Sequence, residues 1–333
     1  KSMGLGKELV VRINPELVLD AEVTGGSLRT ESIDLLGKVR VTVGGARLIG
    51  IDRDANGIGR HFCDHFVAKP SCDETSPEYL EFWLKLLRRE NVALVLPGLE
   101  LDVLFFNEHR ALFETTGARI VLNSSALIDL GQDKWDMGEA LLQAGFPAIP
   151  STLSRSLEEC TRELGPLPLL LKPRRGNGSR GIALLKDAAD FDYWTQKSPD
   201  DFLVQKYVGG NDQEYTVGAF GFGDGTTLSP ITFKRRLSVA GNTQYAEVVD
   251  EPLLTEAVRR LSRHFKPLGP TNYQFRLEGT IPYLLEINPR FSSSTSLRAA
   301  FGYNEAAMAL DYYLHGKEPA EPEVKSGRAW RYS

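Results

Sequence analysis

Short apolar runs alternate with helically spaced segments over the first part of the chain. The apolar runs predict strands, at positions 17–23, 46–52, 92–96 and 119–122. The helical spacing predicts helices between them, at positions 28–36, 79–90 and 101–116. Strands that alternate with helices are typical of a parallel α/β sheet. We therefore predict an N-terminal Rossmann-like domain over residues 1–125.

A dinucleotide site would require a complete glycine fingerprint after the first strand of such a domain. The turn Thr24-Gly25-Gly26-Ser27 lacks the third glycine of that fingerprint. Asp52 and Asp54 could contact a ribose, but aspartates are common at strand ends. The pattern therefore disfavours NAD as a ligand, and the first sixteen residues predict no function.

A different organisation follows in the rest of the chain. Asp133 begins a predicted helix that runs to Ala144, where Gly145 and Pro147 end it. We assign residues 126–200 to this linker helix and a small lid subdomain, with a helix near 157–164 and two to four strands. Residues 201–333 form a C-terminal subdomain that we expect to carry the metal and substrate site.

A glycine-rich turn lies inside the predicted lid. The apolar run 167–171 ends in Lys172, and the segment 173–181 follows before a second apolar run at 182–185. Gly176, Gly178 and Gly181 let the backbone bend and approach phosphate oxygens. Positive charge comes from Lys172, Arg174, Arg175 and Arg180. Because no Gly-Lys-Ser/Thr follows, the segment is not a Walker loop.

The second chemical motif is Leu284-Leu-Glu-Ile-Asn-Pro-Arg290. On a strand, Glu286 and Asn288 point to the same face, because they are two residues apart. Gln274 could add a third oxygen from an adjacent antiparallel strand. Hard oxygen ligands beside the fixed cation of Arg290 suit Mg²⁺ that carries a polyphosphate.

Together these motifs resemble the ATP-grasp superfamily, and in particular the large subunit of carbamoyl phosphate synthase; biotin carboxylase is more distant. The resemblance extends from about Gly25 to the C-terminus. It implies an α+β ATP-grasp fold with antiparallel sheets, ATP as ligand, and one or two Mg²⁺ ions, with Mn²⁺ as an alternative. It implies that Gln274, Glu286 and Asn288 bind the metal and that Arg290 stabilises an acyl phosphate. It also implies that the phosphates are bound by Lys134, Lys172 and the loop that contains Gly176, Gly178, Ser179 and Gly181.

The resemblance also assigns a nucleotide hinge and a ribose contact. Gln205, Lys206, Tyr207 and Val208 occupy the connector that receives adenine, although many relatives carry an acidic residue where Gln205 stands. Glu214 matches a glutamate that binds ribose hydroxyls; a solvent-exposed strand carboxylate is the alternative.

Three charged residues are candidates for substrate contacts. Lys234 and Arg235 belong to a basic run that faces substrate or γ-phosphate in the family, although such runs usually mark solvated loops. Glu100 follows the third predicted strand and could meet a substrate amine. It could equally stabilise the dipole of the following helix.

The bulk properties narrow the functional class. The net charge of −5 argues against a nucleic-acid binder. Three scattered cysteines suit a reducing cytoplasm, and no apolar run predicts a membrane span. We therefore expect a cytoplasmic protein whose partners are small-molecule carboxylate and amine substrates, with a homodimer left open.

The predicted activity is that of a carboxylate–amine ligase that forms an acyl phosphate from ATP. Two alternatives stay open at this point. One is a bicarbonate-activating enzyme like carbamoyl phosphate synthase, and the other is a nucleotide-binding protein without catalysis.

Overall fold

The computed structural model describes residues 8–11, 18–23, 26–28, 47–56, 60–61, 63–176, 181–198, 201–210, 212–237 and 243–332. Their strands form one parallel and two antiparallel sheets. The predicted combination of a parallel α/β unit with antiparallel sheets is therefore confirmed. None of the helices described here has the length and apolar character needed to cross a membrane.

The parallel sheet has five strands among the described residues. In spatial order they are His65–Ala68, Leu48–Asp52, Glu8–Val11, Val92–Leu96 and Arg119–Ile120. Helices Pro77–Arg89, Glu100–Glu108 and Arg110–Glu114 lie between the strands in sequence. Trp83, Phe105, Phe106 and Phe113 are buried in its core and contact one another edge to face.

One predicted strand belongs to a different sheet. Val18–Val23 pairs antiparallel with Gly327–Tyr332 and Gly26–Leu28, and Glu8–Val11 takes the central place in the parallel sheet. The sequence is consistent with this exchange, because Asp20 and Glu22 alternate with apolar residues whereas Leu9-Val10-Val11 is continuously apolar. The helix predicted at 28–36 falls outside the described residues.

The lid sheet has four antiparallel strands among the described residues, in the order Ala183–Leu185, Leu169–Pro173, Phe202–Lys206 and Ser151–Thr152. Helices Leu157–Leu164 and Ala188–Lys197 cover it, and the second of these was not predicted. Phe202–Lys206 pairs within this sheet, although the sequence-based division assigns it to the C-terminal subdomain. The antiparallel pair on either side of the glycine-rich turn confirms the predicted strand–turn–strand arrangement.

The large sheet has eight antiparallel strands among the described residues. In spatial order they are Ile281–Asn288, Leu268–Glu278, Glu214–Phe222, Ile231–Leu237, Thr243–Val248, Gly327–Tyr332, Val18–Val23 and Gly26–Leu28. Leu254, Val258 and Leu261 of helix Pro252–Phe265 pack with Tyr273 and Phe275 of this sheet. Helices Ser125–Gln132 and Lys134–Gln143 connect the parallel unit to the lid.

The opposite face of the large sheet buries charge as well as apolar groups. Helices Thr295–Ala300 and Glu305–Ala309 and the π-helical turn Leu310–His315 cover it. Arg298 and Glu305 are fully buried there, and their side chains form an ion pair at 2.9 Å. Thr295 donates to the second Glu305 oxygen at 2.6 Å, so the buried carboxylate is fully engaged.

Candidate active site

A cavity of about 450 Å³ lies between the lid sheet and the large sheet. Most of the residues predicted to bind the nucleotide line it: Lys134, Lys172, Gly176, Gln205, Lys206, Tyr207, Val208 and Glu214. Gln274 and Glu286 of the predicted metal set line it as well. Gly178, Ser179 and Arg180 lie outside the described residues. The structure thus brings together segments that are up to about 150 positions apart in the sequence.

The backbone turn at the cavity depends on glycine at two positions. Gly176 and Gly181 have φ angles of 120° and 73°, which side chains other than glycine rarely adopt. A Cβ atom at Gly181 would also lie 2.8 Å from Cγ of Pro173. The chain can therefore turn between Leu169–Pro173 and Ala183–Leu185 without placing side chains at these points.

Lys134 is attached to this turn at the first position of its helix. Its Nζ donates to the Gly176 carbonyl at 2.8 Å, and its backbone N–H donates to the Arg174 carbonyl at 3.0 Å. Burial lowers the pKa of Lys134, while the nearby carboxylates of Glu286 and Glu100 oppose that shift. The amine of Lys134 therefore lies beside the turn and close to the predicted metal set.

Arg174, one of the cations of the glycine-rich segment, is bound to a carboxylate of the linker helix. Its guanidinium donates to both oxygens of Asp133, at 3.1 and 2.7 Å. Asp133 also accepts from the N–H groups of Trp135 and Asp136, and so caps the helix that begins at Lys134. The turn is thereby tied to a helix N-terminus, and Arg174 is already paired with a carboxylate.

Lys172 is the most deeply buried cation of the cavity. Its Nζ donates to Oε1 of Gln205 at 2.7 Å, and desolvation lowers the pKa of Lys172 to about 8. Nε2 of Gln205 donates to the hydroxyl of Ser151 at 2.9 Å. Gln205 therefore lies in a lid strand with its side chain on the lysine, which gives its side chain a contact that the sequence did not predict.

The predicted metal residues lie side by side at the edge of the large sheet. Gln274 and Glu286 are directly opposite each other on antiparallel strands, and a β-bulge at this point admits Leu285 as an extra residue. Nδ2 of Asn288 donates to Oε1 of Glu286 at 2.9 Å, and Nε2 of Gln274 donates to the same oxygen. The expected convergence of the three side chains is therefore present.

These residues fit a metal that is held mainly by phosphates. The set contains one carboxylate, and no group of three or more His, Cys, Asp or Glu side chains suited to a metal occurs in the described part of the chain. Mg²⁺ commonly binds one or two carboxylates together with substrate phosphates. The amide oxygens of Gln274 and Asn288 accept from Arg235 and Arg290. Rotation of each terminal amide would be needed to turn these oxygens toward a cation.

Arg235 and Arg276 flank Glu214 on the same face of the sheet. Their guanidinium groups donate to the two Glu214 oxygens at 3.0 and 3.1 Å. Glu214 is buried, so the alternative of a solvent-exposed strand carboxylate is wrong. Arg276 was missed by the sequence analysis, although its position two residues after Gln274 on one strand indicates the same face. Its guanidinium lies 5.4 Å from the ring centre of Tyr207.

Of two other predicted residues, Lys206 lines the cavity and Lys234 does not. Lys234 lies on the opposite face of the sheet from Arg235, with its Nζ 5.9 Å from the ring centre of Tyr215. The structure therefore does not bring Lys234 to the cavity, because alternate residues of a strand point to opposite faces. Lys206 lines the cavity and forms an ion pair with Glu278 at 3.7 Å.

Arg290 connects the predicted metal residues to the parallel unit. Its guanidinium donates to Asn288 at 3.1 Å and to Glu100 at 2.6 Å. Glu100 is the first residue of helix Glu100–Glu108, as one of the two alternatives for this residue required. Its contact with Arg290 also brings it close to the site, as the other alternative required. Asp102, two residues further along, is buried against Lys69 and Tyr79 and does not face the cavity.

The charge around the cavity favours an anionic ligand. Five cationic side chains line it against two carboxylates, those of Glu214 and Glu286. In addition, Nε of Arg235 is buried and has no hydrogen-bond partner among the described residues. A polyphosphate would supply the negative charge that this surface lacks.

Comparison with known proteins shows which family the C-terminal part of the chain resembles. Residues 198–332 match the model of a family described as ATP-grasp in the biosynthetic pathway with Ter operon. This part of the chain is therefore similar to an ATP-grasp domain. It is 28% identical over 179 residues to the uncharacterized protein y4rH of Sinorhizobium fredii, a match that covers 47% of this chain and 35% of that protein.

Other relatives of this chain are much longer than the matched region. It is 27% identical over 196 residues to the carbamoyl phosphate synthase large chain of Mycobacterium sp. (strain JLS), covering 54% of this chain and 17% of that one. The match thus spans about a third of y4rH and about a sixth of the synthase chain. These comparisons confirm the predicted resemblance to ATP-grasp proteins and to the carbamoyl phosphate synthase large chain.

Solved structures confirm the ATP-grasp fold over nearly the whole chain. A biotin carboxylase from Campylobacter jejuni superposes with a TM-score of 0.72 at 15% identity, covering 97% of this chain and 74% of that one. N5-carboxyaminoimidazole ribonucleotide synthetase from Thermus thermophilus superposes with a TM-score of 0.68 at 16% identity, covering 96% of this chain and 82% of that one. At these identities the similarity is one of fold.

Proposed function

We propose that this chain is an ATP-dependent ligase that activates a carboxylate as an acyl phosphate and transfers the acyl group to an amine or a similar nucleophile. The observation that carries the proposal is the continuous polar surface of one cavity. Lys134 of the linker helix, Lys172 of the lid, and Gln274 and Glu286 of the large sheet line the cavity. Hydrogen bonds continue from Glu286 to Asn288 and from Asn288 to Arg290.

In this proposal the nucleotide lies between the lid and the large sheet. Backbone groups of Tyr207 and Val208, just after the lid strand Phe202–Lys206, would receive the adenine, and Glu214 would face the ribose. Lys134 and Lys172 would hold the phosphates, with the backbone of the glycine-rich turn over them. We propose the residue ranges 1–125, 126–200 and 201–333 as the units that supply these parts, with the last lid strand contributed from the third.

Gln274, Glu286 and Asn288 would hold Mg²⁺ against the phosphates. The ion would offset negative charge on the phosphoryl group during transfer. Arg290 would place its planar guanidinium against oxygens of the acceptor carboxylate and of the acyl phosphate. A carboxylate oxygen attacks the γ-phosphorus and ADP leaves; the amine nitrogen then attacks the acyl carbon, phosphate leaves, and the nitrogen loses a proton.

The similarity to carbamoyl phosphate synthase favours bicarbonate as a second candidate for the activated group. Bicarbonate offers the same attacking oxygen as a carboxylate, so the cavity residues described above would serve both reactions. The two candidates differ in the substrate that ADP release requires: a carboxylate together with an amine for the first, and bicarbonate for the second.

A screen for ADP release tests the proposal directly. The full chain is incubated with Mg·ATP and pairs of carboxylates and amines, and each component is omitted in turn. We expect ADP release that requires both a carboxylate and an amine. Release that requires bicarbonate alone would favour the second candidate. Mg·ADP binding without turnover for any pair would indicate a nucleotide-binding protein, and NAD binding tighter than Mg·ADP would contradict the site assignment.

A further inference from the structure

The Lys172 ammonium is buried, and no carboxylate of the described residues is in contact with it. Its side chain lies on lid strand Leu169–Pro173 with 8% of the residue exposed. Among the described residues its hydrogen-bond partner is the neutral amide of Gln205, at 2.7 Å. Burial of an ammonium group costs free energy unless an anion compensates it.

Two further hydrogen bonds fix which end of the Gln205 amide faces the lysine. The hydroxyl of Ser151 donates to the Ile149 carbonyl at 2.8 Å, so its oxygen is left to accept. Nε2 of Gln205 donates to that oxygen at 2.9 Å, which leaves Oε1 for Lys172. The Lys172 ammonium can only donate, so it needs the amide oxygen as its acceptor. The Gln205 amide group then donates through Nε2 and accepts through Oε1.

The charged groups around Lys172 come from four other elements. Glu286 and Glu214 of the large sheet favour its charged form, while Arg276 of that sheet and Lys134 of the linker helix oppose it. Desolvation exceeds these effects and holds the pKa of Lys172 at about 8, against an ordinary value of 10.5. An acidic residue at position 205 would instead keep the lysine charged.

We infer that Gln205 is a positioning residue that directs an uncompensated Lys172 ammonium at the nucleotide phosphates, so that nucleotide binding takes up a proton in mildly alkaline solution. The inference rests on the proposed nucleotide site. Phosphates next to Lys172 supply the missing anion and favour the protonated lysine in the complex. The nucleotide thus supplies the negative charge next to Lys172 that a carboxylate of the protein would supply permanently.

The direction of the pH dependence follows from these states. Below about pH 8 Lys172 is protonated with and without nucleotide, so binding takes up no proton at this site. Above that pH the lysine of the free protein loses its proton, while the complex retains it, so affinity falls as pH rises by up to about tenfold per pH unit. The phosphate groups do not titrate here, because their second pKa is about 6.

Calorimetry of Mg·ADP binding to the full chain tests the inference. Titrations at pH 8.5 in two buffers of different ionisation enthalpy give the number of protons taken up. We expect a substantial fraction of one proton for the native chain, and an affinity about tenfold lower at pH 9 than at pH 7.5. Gln205→Glu should bind Mg·ADP with almost no proton uptake and a nearly flat pH profile, because its carboxylate keeps Lys172 protonated.

Two further variants make the result specific to this lysine. Lys172→Arg cannot lose its charge and should also remove the proton uptake, independently of how Gln205→Glu folds. Gln196→Glu makes the same charge change on an exposed residue of the lid helix and should behave as the native chain. Normal Mg·ADP binding without proton uptake at pH 8.5, or equal uptake in Lys172→Arg, would overturn the inference alone. Failure to bind Mg·ADP at every pH would overturn the proposed function with it.

Discussion

The guanidinium of Arg290 donates to the carboxylate of Glu100 at 2.6 Å, and this contact joins the large sheet to the parallel unit. From Arg290 the hydrogen bonds continue through Asn288 to Glu286. They extend further through Gln274 and Arg235 to Glu214. A single chain of polar contacts therefore runs along the predicted metal and phosphate side of the cavity.

Glu100→Gln tests whether this contact positions Arg290. The amide keeps the shape of the side chain but removes its charge, so Arg290 should be held less firmly against Asn288. We expect kcat for ADP release to fall by about tenfold while Mg·ADP affinity stays within a few-fold, because orientation of a reacting group affects mainly the chemical step. Steady-state kinetics and calorimetry measure the two quantities.

The matched control for this variant lies in the same helix. Glu108→Gln removes an exposed carboxylate at the other end of helix Glu100–Glu108 and should change neither quantity. A Glu100→Gln protein with normal kcat would show that the ion pair is only a structural link between the two units.

The sequence predicted which side chains line the cavity better than it predicted the contacts between them. Spacing by two residues on one strand was enough to place Glu286 beside Asn288, because strand geometry is local. The buried pairing of Glu214 with Arg235 and Arg276 depends on three strands coming together, and no local pattern encodes that alignment. The contact between the neutral amide of Gln205 and Lys172 could not be predicted from the sequence for the same reason.

Long-range pairing also explains the error at the N-terminus. Val18–Val23 has the composition of a strand, so the sequence predicted its conformation correctly. Its partner, Gly327–Tyr332, lies about 300 positions away, and the choice between two sheets depends on that partner. The alternating Asp20 and Glu22 were the local signal for an antiparallel sheet.

The composition of the predicted metal set implies that metal affinity depends on nucleotide. One carboxylate and two amides provide too little charge to hold Mg²⁺ tightly by themselves, whereas phosphates would complete its coordination. We expect Mn²⁺, used as a spectroscopic substitute, to bind the free protein weakly and to bind at least about tenfold more tightly with ADP present. Electron paramagnetic resonance titrations measure free Mn²⁺ in both cases.

Glu286→Gln supplies the comparison for this titration. Without the carboxylate, the affinity for Mn²⁺ in the presence of ADP should fall toward the affinity of ADP alone for Mn²⁺ in solution. Tight Mn²⁺ binding to the native chain without nucleotide would contradict the expectation, and so would an unchanged Glu286→Gln titration.

The buried ion pair beneath the site should be important for stability. Arg298 is fully buried, and its loss would leave the Glu305 carboxylate without its counter-charge in the interior. Breaking a buried pair in this way typically costs about 3–5 kcal/mol of the free energy of unfolding. We expect Arg298→Ala to lower the midpoint of urea unfolding strongly, as followed by circular dichroism.

An exposed pair in the same subdomain provides the reference. Arg263 and Glu256 form an ion pair at 3.0 Å with both side chains more than half exposed. Arg263→Ala should cost about 0–1 kcal/mol, because water screens such pairs. Equal unfolding midpoints for the two alanine variants would mean that the buried pair adds no more than the exposed one.

Arg290→Lys separates the chemical step from nucleotide binding. Arg290 contacts Asn288 and Glu100 and lies next to the predicted metal residues, whereas Tyr207 and Val208, the predicted adenine contacts, follow the lid strand. A lysine keeps the charge but cannot hold two oxygens in one plane. We therefore expect Mg·ADP affinity within a few-fold of the native value and a kcat for ADP release lower by about a hundredfold or more. Single-turnover measurements with the carboxylate alone would show the loss before the amine reacts. If Arg290→Lys turned over normally but bound Mg·ADP poorly, the guanidinium would be a nucleotide ligand and its proposed action on the acyl phosphate would be wrong.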